Sequence, residues 1–160
     1  MIREHVLTSE LKIKADKIIA NYEQKRAALL PILHLIQDTY GHVMPEAEQE
    51  IADFLQIPLV DVREVMTFYT LFHSKPCAKY QFNVCRTLTC SLLGGGEITE
   101  HLKHKLGIDI GEQTADRKFG LNAVECLGAC EIAPMMQMNK DYTGPLTKEK
   151  VDQILNSLSS

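Results

Sequence analysis

The sequence has no apolar run long enough to cross a bilayer. The longest apolar stretch of its 160 residues, 27–36, contains Pro31 and His34 and is shorter than the about 20 residues that a spanning helix needs. The N-terminal residues MIREH include acidic and polar residues where a signal peptide would need an apolar run. These absences predict a soluble, cytoplasmic protein.

The sequence also has no excess of basic residues. The 17 lysines and arginines are outnumbered by 21 aspartates and glutamates, so the formal net charge is −4. This balance gives no electrostatic reason to expect nucleic-acid binding. The glycines at 94–96 do not form the G-x-G-x-x-G pattern of dinucleotide sites, so the sequence shows no loop of that type for a nucleotide.

The cysteines do not come in the even number that a disulfide framework requires. There are five, and an odd set in a reducing compartment favours metal ligation. Four of them form two pairs, Cys85 with Cys90 and Cys126 with Cys130. Cys77 lies outside this pattern and is interpreted as a structural or incidental thiol.

The spacing within the two pairs favours an iron–sulfur cluster. Structural zinc sites usually begin with two cysteines that have two residues between them, sometimes up to four, and plant-type ferredoxins use three close cysteines and one distant one. The pairs of this chain have four and three residues between them. Two loose pairs instead suit a [2Fe–2S] core, in which each iron takes two thiolates. A zinc knuckle and redox dithiols remain alternatives, although the first pair lacks the C-x-x-C redox spacing.

The residues around both pairs resemble a known family. Segments 84–90 (VCRTLTC) and 125–136 (ECLGACEIAPMM) are similar to the thioredoxin-like [2Fe–2S] ferredoxins. More narrowly, they resemble the small [2Fe–2S] subunit of the NADH-oxidising module of respiratory complex I. Segments 29–34 (LLPILH) and 64–72 (EVMTFYTLF) match the helical N-terminal part of that subunit, which free-standing ferredoxins of this fold lack.

This resemblance implies an electron-transfer subunit of an NADH dehydrogenase. One [2Fe–2S] cluster on Cys85, Cys90, Cys126 and Cys130 would exchange single electrons with the flavin of a partner during NADH oxidation and quinone reduction. That partner would bind FMN and NADH and form a heterodimer with this chain in the peripheral arm, beside the inner membrane and on the matrix side in an organelle. The chain alone would carry out no substrate chemistry.

Other functions remain open at this point. NAD-linked hydrogenases and formate dehydrogenases use an equivalent small subunit, and a free-standing ferredoxin or a zinc-stabilised interaction module would also use four cysteines. Within the leading interpretation, the N-terminal helices form the docking surface. Residues 65–72 are expected to lie against the neighbour or the domain seam.

Hydrophobic periodicity predicts a helical domain over residues 1–75. Apolar side chains at i, i+3, i+4 and i+7 recur through this half. The predicted helix landmarks are a start at Thr8 or Ser9, an end at Gly41, a start at Pro45, and a last helix from Pro58 through Phe72.

After a hinge at 74–76 the period changes to two, which predicts strands. The expected elements of this second domain, residues 76–160, are strands near 80–85, 119–123 and 135–138 and helices near 88–93, 98–106 and after Thr147, with the glycines at 94–96 in a loop or helix end. The predicted fold class is therefore α+β or α/β: an N-terminal helical bundle followed by a thioredoxin-like [2Fe–2S] ferredoxin domain. A cis Ala133–Pro134 bond is a further hypothesis, because thioredoxins place a cis-proline before the corresponding strand.

Two features near the cysteines bear on the cluster. Gly128 is expected to turn its loop so that backbone amides approach sulfur. Glu125 and Glu131 would lower the reduction potential if they point toward the cluster, and loop amides would raise it.

Overall fold

The described residues form two compact units. The computed structural model describes residues 5–159, with one unit ending at Pro76 and the other beginning at Cys77. Most of the polar N-terminal segment noted above, residues 1–4, lies outside the described residues. Within this described range, no helix combines the length and the apolar character that crossing a membrane requires.

Four α-helices and a short 3-10 turn build the first unit. The helices are α1 (Ser9–Ile19), α2 (Leu29–Tyr40), α3 (Pro45–Leu55) and α4 (Leu59–Phe68), and the 3-10 turn is Lys25–Ala28. Thr8 caps α1, Gly41 ends α2 in the left-handed conformation at φ 79°, and Pro45 is the first residue of α3. The predicted starts and ends of these three helices are confirmed.

The fourth helix ends earlier than the sequence predicted. It stops at Phe68, and Tyr69 has an extended backbone, so the prediction of a helix as far as Phe72 was wrong for its last four residues. Phe72 is nevertheless buried, and its ring lies 5.0 Å from that of His34. The apolar period therefore predicted the burial of Phe72 correctly and the backbone conformation of residues 69–72 wrongly.

The second unit places helices against a four-stranded sheet. Its elements are β1 (Tyr80–Cys85), α5 (Leu88–Leu92), α6 (Gly95–Leu106), β2 (Phe119–Val124), β3 (Met136–Met138), β4 (Asp141–Thr143) and α7 (Lys148–Ser159). The strand order is β2-β1-β3-β4, with β1 and β2 parallel and the other neighbours antiparallel. Three strands, α5, and a last helix after Thr147 were predicted, and these are confirmed.

Two details of the second unit correct the sequence-based prediction. β4 was not predicted, because it is three residues long and mostly exposed, so it has no apolar alternation. The glycines at 94–96 were expected in a loop or helix end, but only Gly94 of the three lies between α5 and α6, at φ 94°, while Gly95 and Gly96 are the first residues of α6. The Ala133–Pro134 bond is cis, as hypothesised, and Gly144–Pro145 is cis as well.

The sheet register brings two loops out at the same edge. β1 and β2 pair in parallel from Tyr80 with Phe119 to Cys85 with Val124. Parallel strands end at the same edge of a sheet, so the loops that follow Cys85 and Val124 leave side by side. Cys126 lies only two residues beyond the last paired residue of β2.

A single apolar core fixes these strands against the two longer helices. Its fully buried members come from both layers and include Phe82, Val84, Leu121 and Met136 of the sheet and Leu102 and Val151 of α6 and α7. Each such side chain contributes about 1.5–3 kcal/mol on burial. The strands that lead to the cysteine loops are therefore anchored in this buried core.

Candidate metal centre

The four paired cysteines lie at this edge of the sheet, with unequal burial. Cys85 is the last residue of β1 and Cys90 belongs to α5, and both are buried, at 4% and 3% exposure. Cys126 follows β2, Cys130 begins a 3-10 turn, and both are exposed. All five cysteines fall in the described range, and none forms a disulfide.

The loop that holds the second pair lies on the first pair. The Cys85 and Cys90 side chains are joined by a hydrogen bond. They share an apolar pocket with Ala129 and Met135, and the Leu127 amide donates to the Cys85 sulfur. The residues between Cys126 and Cys130 are therefore in direct contact with the buried pair.

Backbone amides point at three of the four sulfur atoms. The donor and acceptor pairs are Thr87 N–H and Leu127 N–H to Cys85, Met135 N–H to Cys90, and Gly128 N–H to Cys126 at 3.4 Å. The last of these needs Gly128 in the left-handed conformation, at φ 74°, which confirms the role predicted for that glycine. Amides directed at sulfur stabilise negative charge there, whether on a thiolate or on a cluster.

The two buried thiols have opposite pKa shifts. Burial acts to raise the pKa of Cys85, but two loop amides and the side chains of Cys90 and Thr87 outweigh it, so the pKa lies below its ordinary value. At Cys90 burial is the largest influence, and charge on Cys85 and Cys130 adds to it, so the pKa is raised. A thiolate is therefore more favourable at Cys85 than at Cys90, and the positive charge of a bound metal would favour a thiolate at both.

This donor set fits a two-iron cluster. Across residues 5–159, no three His, Cys, Asp or Glu side chains converge on one position for a single ion. A [2Fe–2S] cluster does not require that, because each iron takes two thiolates and the irons are bridged by sulfide. The contacting buried pair, the overlying loop with its exposed pair and the inward amides match this requirement.

Sequence analysis missed one polar group at this centre. The Thr87 hydroxyl oxygen is the one buried side-chain polar atom, among the residues described, that has no hydrogen-bond partner of regular geometry. It lies beside the Cys85 sulfur. A threonine inside the first cysteine motif gives no signal in the sequence, because burial of its hydroxyl depends on how the loop closes.

The two carboxylates next to the cysteines, Glu125 and Glu131, are exposed to solvent. Glu125 pairs with Arg86, whose Nε lies 2.9 Å from Oε1, and this exposed ion pair joins the two cysteine-bearing loops. The arginine charge offsets the effect on the reduction potential that was expected from Glu125. Glu131 is exposed on the 3-10 turn.

Gly95 is expected to be essential at this centre, whereas its neighbour Gly96 is not. A Cβ on Gly95 would lie 2.8 Å from the Cys90 carbonyl oxygen and 3.3 Å from that of Cys85, whereas one on Gly96 would meet nothing within 4 Å. Gly95→Ala should therefore destabilise the second unit by about 1–3 kcal/mol and lower its iron content. Gly96→Ala, in the same helix, should be neutral or stabilising by about 0.5–1 kcal/mol.

Urea unfolding and iron analysis of the two variants would measure this difference. Equal stability and equal iron content in the two variants would show that the close approach of Gly95 to the cysteine loop affects neither quantity.

With this geometry established, the chain can be compared with known proteins. The family model described as thioredoxin-like [2Fe–2S] ferredoxin matches residues 15–159. The chain belongs to the thioredoxin-like [2Fe–2S] ferredoxin family. Membership of this ferredoxin family assigns one [2Fe–2S] cluster to the chain and confirms the predicted cofactor and fold class.

Several relatives of this ferredoxin match nearly the whole chain. The E 2 subunit of NADH-quinone oxidoreductase from Rhizobium meliloti (strain 1021) is 41% identical over 147 residues, which cover 92% of this chain and 88% of the relative. The E subunit from Rickettsia bellii (strain RML369-C) is 44% identical, with coverages of 90% and 88%. The E subunit from Aquifex aeolicus (strain VF5) is 38% identical over 153 residues, with coverages of 96% and 96%. The predicted resemblance to this small subunit is confirmed.

A solved structure shares the fold of this ferredoxin. The crystal structure of an NAD+-reducing [NiFe]-hydrogenase in the air-oxidized state superimposes with a TM-score of 0.71 at 22% sequence identity. The match covers 82% of this chain and 22% of the hydrogenase chain. At this identity the likeness shows the fold alone.

Proposed function

We propose that this chain is the electron-transfer E subunit of an NADH-quinone oxidoreductase. In this role its cluster exchanges single electrons with the flavin of a partner subunit that oxidises NADH. The observation that carries the proposal is the pair of cysteine loops at one sheet edge, with amides directed at sulfur. Relatives 38–44% identical over about nine-tenths of the chain bear the name of that subunit.

The ligands of the cluster in this proposal are Cys85, Cys90, Cys126 and Cys130. The bound cluster supplies one-electron chemistry, and the chain supplies its surroundings. The pocket around Cys85 and Cys90 keeps water from one side, and the loop amides offset the negative charge of sulfur and thiolate. Cys77 is not part of that pocket.

The exposed side of the centre fits a protein partner. Cys126 and Cys130 are exposed, and α5 with the residue after it presents Leu88, Leu92 and Leu93 to solvent at 70%, 76% and 56% exposure. Clustered exposed apolar side chains mark interaction surfaces. We place the flavin-bearing subunit against this side, so that the chain is held in the peripheral arm of the complex at the membrane surface.

Part of the first unit is also suited to contact the complex. In the segment 65–72 that was predicted to meet a neighbour, Phe68 and Leu71 are 75% and 43% exposed. A carrier that worked alone would have no use for such a surface, and these residues support assembly into a larger enzyme.

Spectroscopy of the anaerobically purified chain tests the proposal. We expect visible absorption that bleaches with dithionite, a spin-half EPR signal and about two irons per chain. NADH should leave the isolated cluster oxidised and reduce it once the flavoprotein subunit is added. A colourless chain with one zinc would refute the electron-carrier role. A cluster that NADH reduces without flavoprotein would refute the proposal that the partner subunit oxidises NADH.

A further inference from the structure

The Thr87 hydroxyl differs in its hydrogen bonding from the other buried polar side-chain atoms of the described residues. Its oxygen has essentially no contact with solvent and no hydrogen-bond partner of regular geometry, the only such side-chain atom in the described part of the chain. Leaving a buried hydroxyl unpaired is destabilising, and such groups in folded proteins call for an explanation. In the polypeptide alone, the only acceptor beside this hydroxyl that the described contacts show is the Cys85 sulfur, without regular geometry.

Helix capping does not explain this hydroxyl. Thr87 occupies the N-cap position of α5, with the extended backbone, φ −78° and ψ 164°, that capping threonines adopt. A capping hydroxyl would accept from the amide of Thr89 or Cys90, two or three residues on, but no side-chain capping bond is formed. The side chain is turned instead toward the Cys85 sulfur.

The surroundings leave the cluster as the natural acceptor. The adjacent apolar pocket is formed by Cys85, Cys90, Ala129 and Met135, and the hydroxyl lies beside the Cys85 sulfur. A threonine hydroxyl rotates freely and can donate to any acceptor within reach. The Thr87 amide already donates to the same cysteine, so this residue offers two donors to one ligand.

We propose that Thr87 tunes the [2Fe–2S] cluster. When the cluster is bound, the Thr87 hydroxyl donates a hydrogen bond to the Cys85 sulfur or to the bridging sulfide beside it. Reduction adds one negative charge to the cluster, so a donor stabilises the reduced form more than the oxidised form and raises the reduction potential. The inference rests on the cysteine ligands proposed above.

Three variants distinguish the effect of the hydroxyl on the reduction potential from the effect of side-chain shape. Thr87→Val removes the hydroxyl at nearly constant volume, Thr87→Ser retains it, and Thr89→Val makes the same change at an exposed position of α5. Midpoint potentials are measured by EPR-monitored redox titration of samples matched for iron content. At a given applied potential, Thr87→Val should lower the ratio of reduced to oxidised cluster about tenfold, equivalent to about 59 mV for one electron.

The controls fix the interpretation of this shift. Thr87→Ser and Thr89→Val should titrate like the wild-type chain. The proposal is overturned if Thr87→Val also titrates like wild type, or if Thr87→Ser falls as far as Thr87→Val.

A second measurement tests the proposed hydrogen bond if Thr87→Val does not retain two irons. Hydroxyl protons exchange with D2O at once, whereas protected amides exchange slowly. A hydroxyl bonded to sulfur should therefore shift the Fe–S stretching frequencies of the wild-type chain soon after transfer to D2O, and an absent early shift overturns the proposal. Wild-type protein without iron would count against the proposed ligands instead.

Discussion

Replacing any one of Cys85, Cys90, Cys126 and Cys130 by alanine should abolish the [2Fe–2S] EPR signal and leave little bound iron. Each iron takes two thiolates, so the loss of one ligand leaves one iron with an incomplete coordination shell. Cys77→Ala is the matched control and should retain about two irons per chain. EPR and iron analysis of the five variants, purified anaerobically, measure the effect directly.

The same five variants separate ligand loss from misfolding. Cys126 and Cys130 are exposed, so their replacement should leave the far-UV circular dichroism of the iron-free chain unchanged. Cys85 and Cys90 are buried in contact with each other, so alanine there should also lower the stability of the iron-free chain. A full cluster in any of the four variants, or its loss in Cys77→Ala, would show that the ligands are assigned wrongly.

Gly144→Ala should unfold or severely weaken the second unit. A Cβ at this position would overlap the carbonyl oxygen of Ile132 and come within 3.0 Å of the Met135 Cβ. Ile132 ends the 3-10 turn that begins with Cys130, and Met135 lines the pocket of the buried cysteines. Because the obstacle is backbone, relief requires moving a cysteine-bearing segment, and we expect a loss of about 3 kcal/mol together with loss of iron.

Gly120→Ala provides a control with a similar overlap but a movable neighbour. A Cβ there would lie 2.6 Å from Oε1 of Gln81, which is the far end of a flexible side chain. Rotation of that side chain relieves the overlap and costs the hydrogen bond from Asn122, 3.2 Å long, or about 1 kcal/mol. Urea denaturation should rank the wild type and Gly120→Ala well above Gly144→Ala. Equal stability of the two variants would contradict the backbone explanation.

The helix boundaries that sequence predicted correctly depend on local chemistry. Thr8, Gly41 and Pro45 act through their own side chain or backbone preference, and each stands where the structure begins or ends a helix. The two cysteine pairs were equally visible, because their spacing can be read directly from the sequence, and their role as ligands is the proposal made above.

The end of α4 could not be predicted in this way, because a distant side chain determines it. The Gln37 side chain donates to the Leu71 carbonyl at 2.8 Å and accepts from the His73 amide at 2.7 Å. These bonds supply partners that a continued helix would otherwise provide, so the chain can leave the helix and still bury Phe72. Nothing between residues 65 and 73 reveals this glutamine.

The run of three glycines was misjudged for a similar reason. Glycine in a sequence indicates conformational freedom, and Gly94 uses it at φ 94°. Gly95 is needed for space instead, because the carbonyl groups of Cys85 and Cys90 lie against it. The two uses cannot be distinguished without knowing which segment packs on the glycine.

The unequal exposure of the two cysteine pairs has a consequence for the lifetime of the centre. Dioxygen and chelators reach Cys126 and Cys130 directly, whereas Cys85 and Cys90 lie behind protein, so oxidative damage to the proposed cluster would begin at the outer pair. A partner that covers this side would then shelter the iron as well as exchange electrons with it. In that arrangement assembly itself protects the cofactor, and the unassembled chain is the form most in need of repair by the cell.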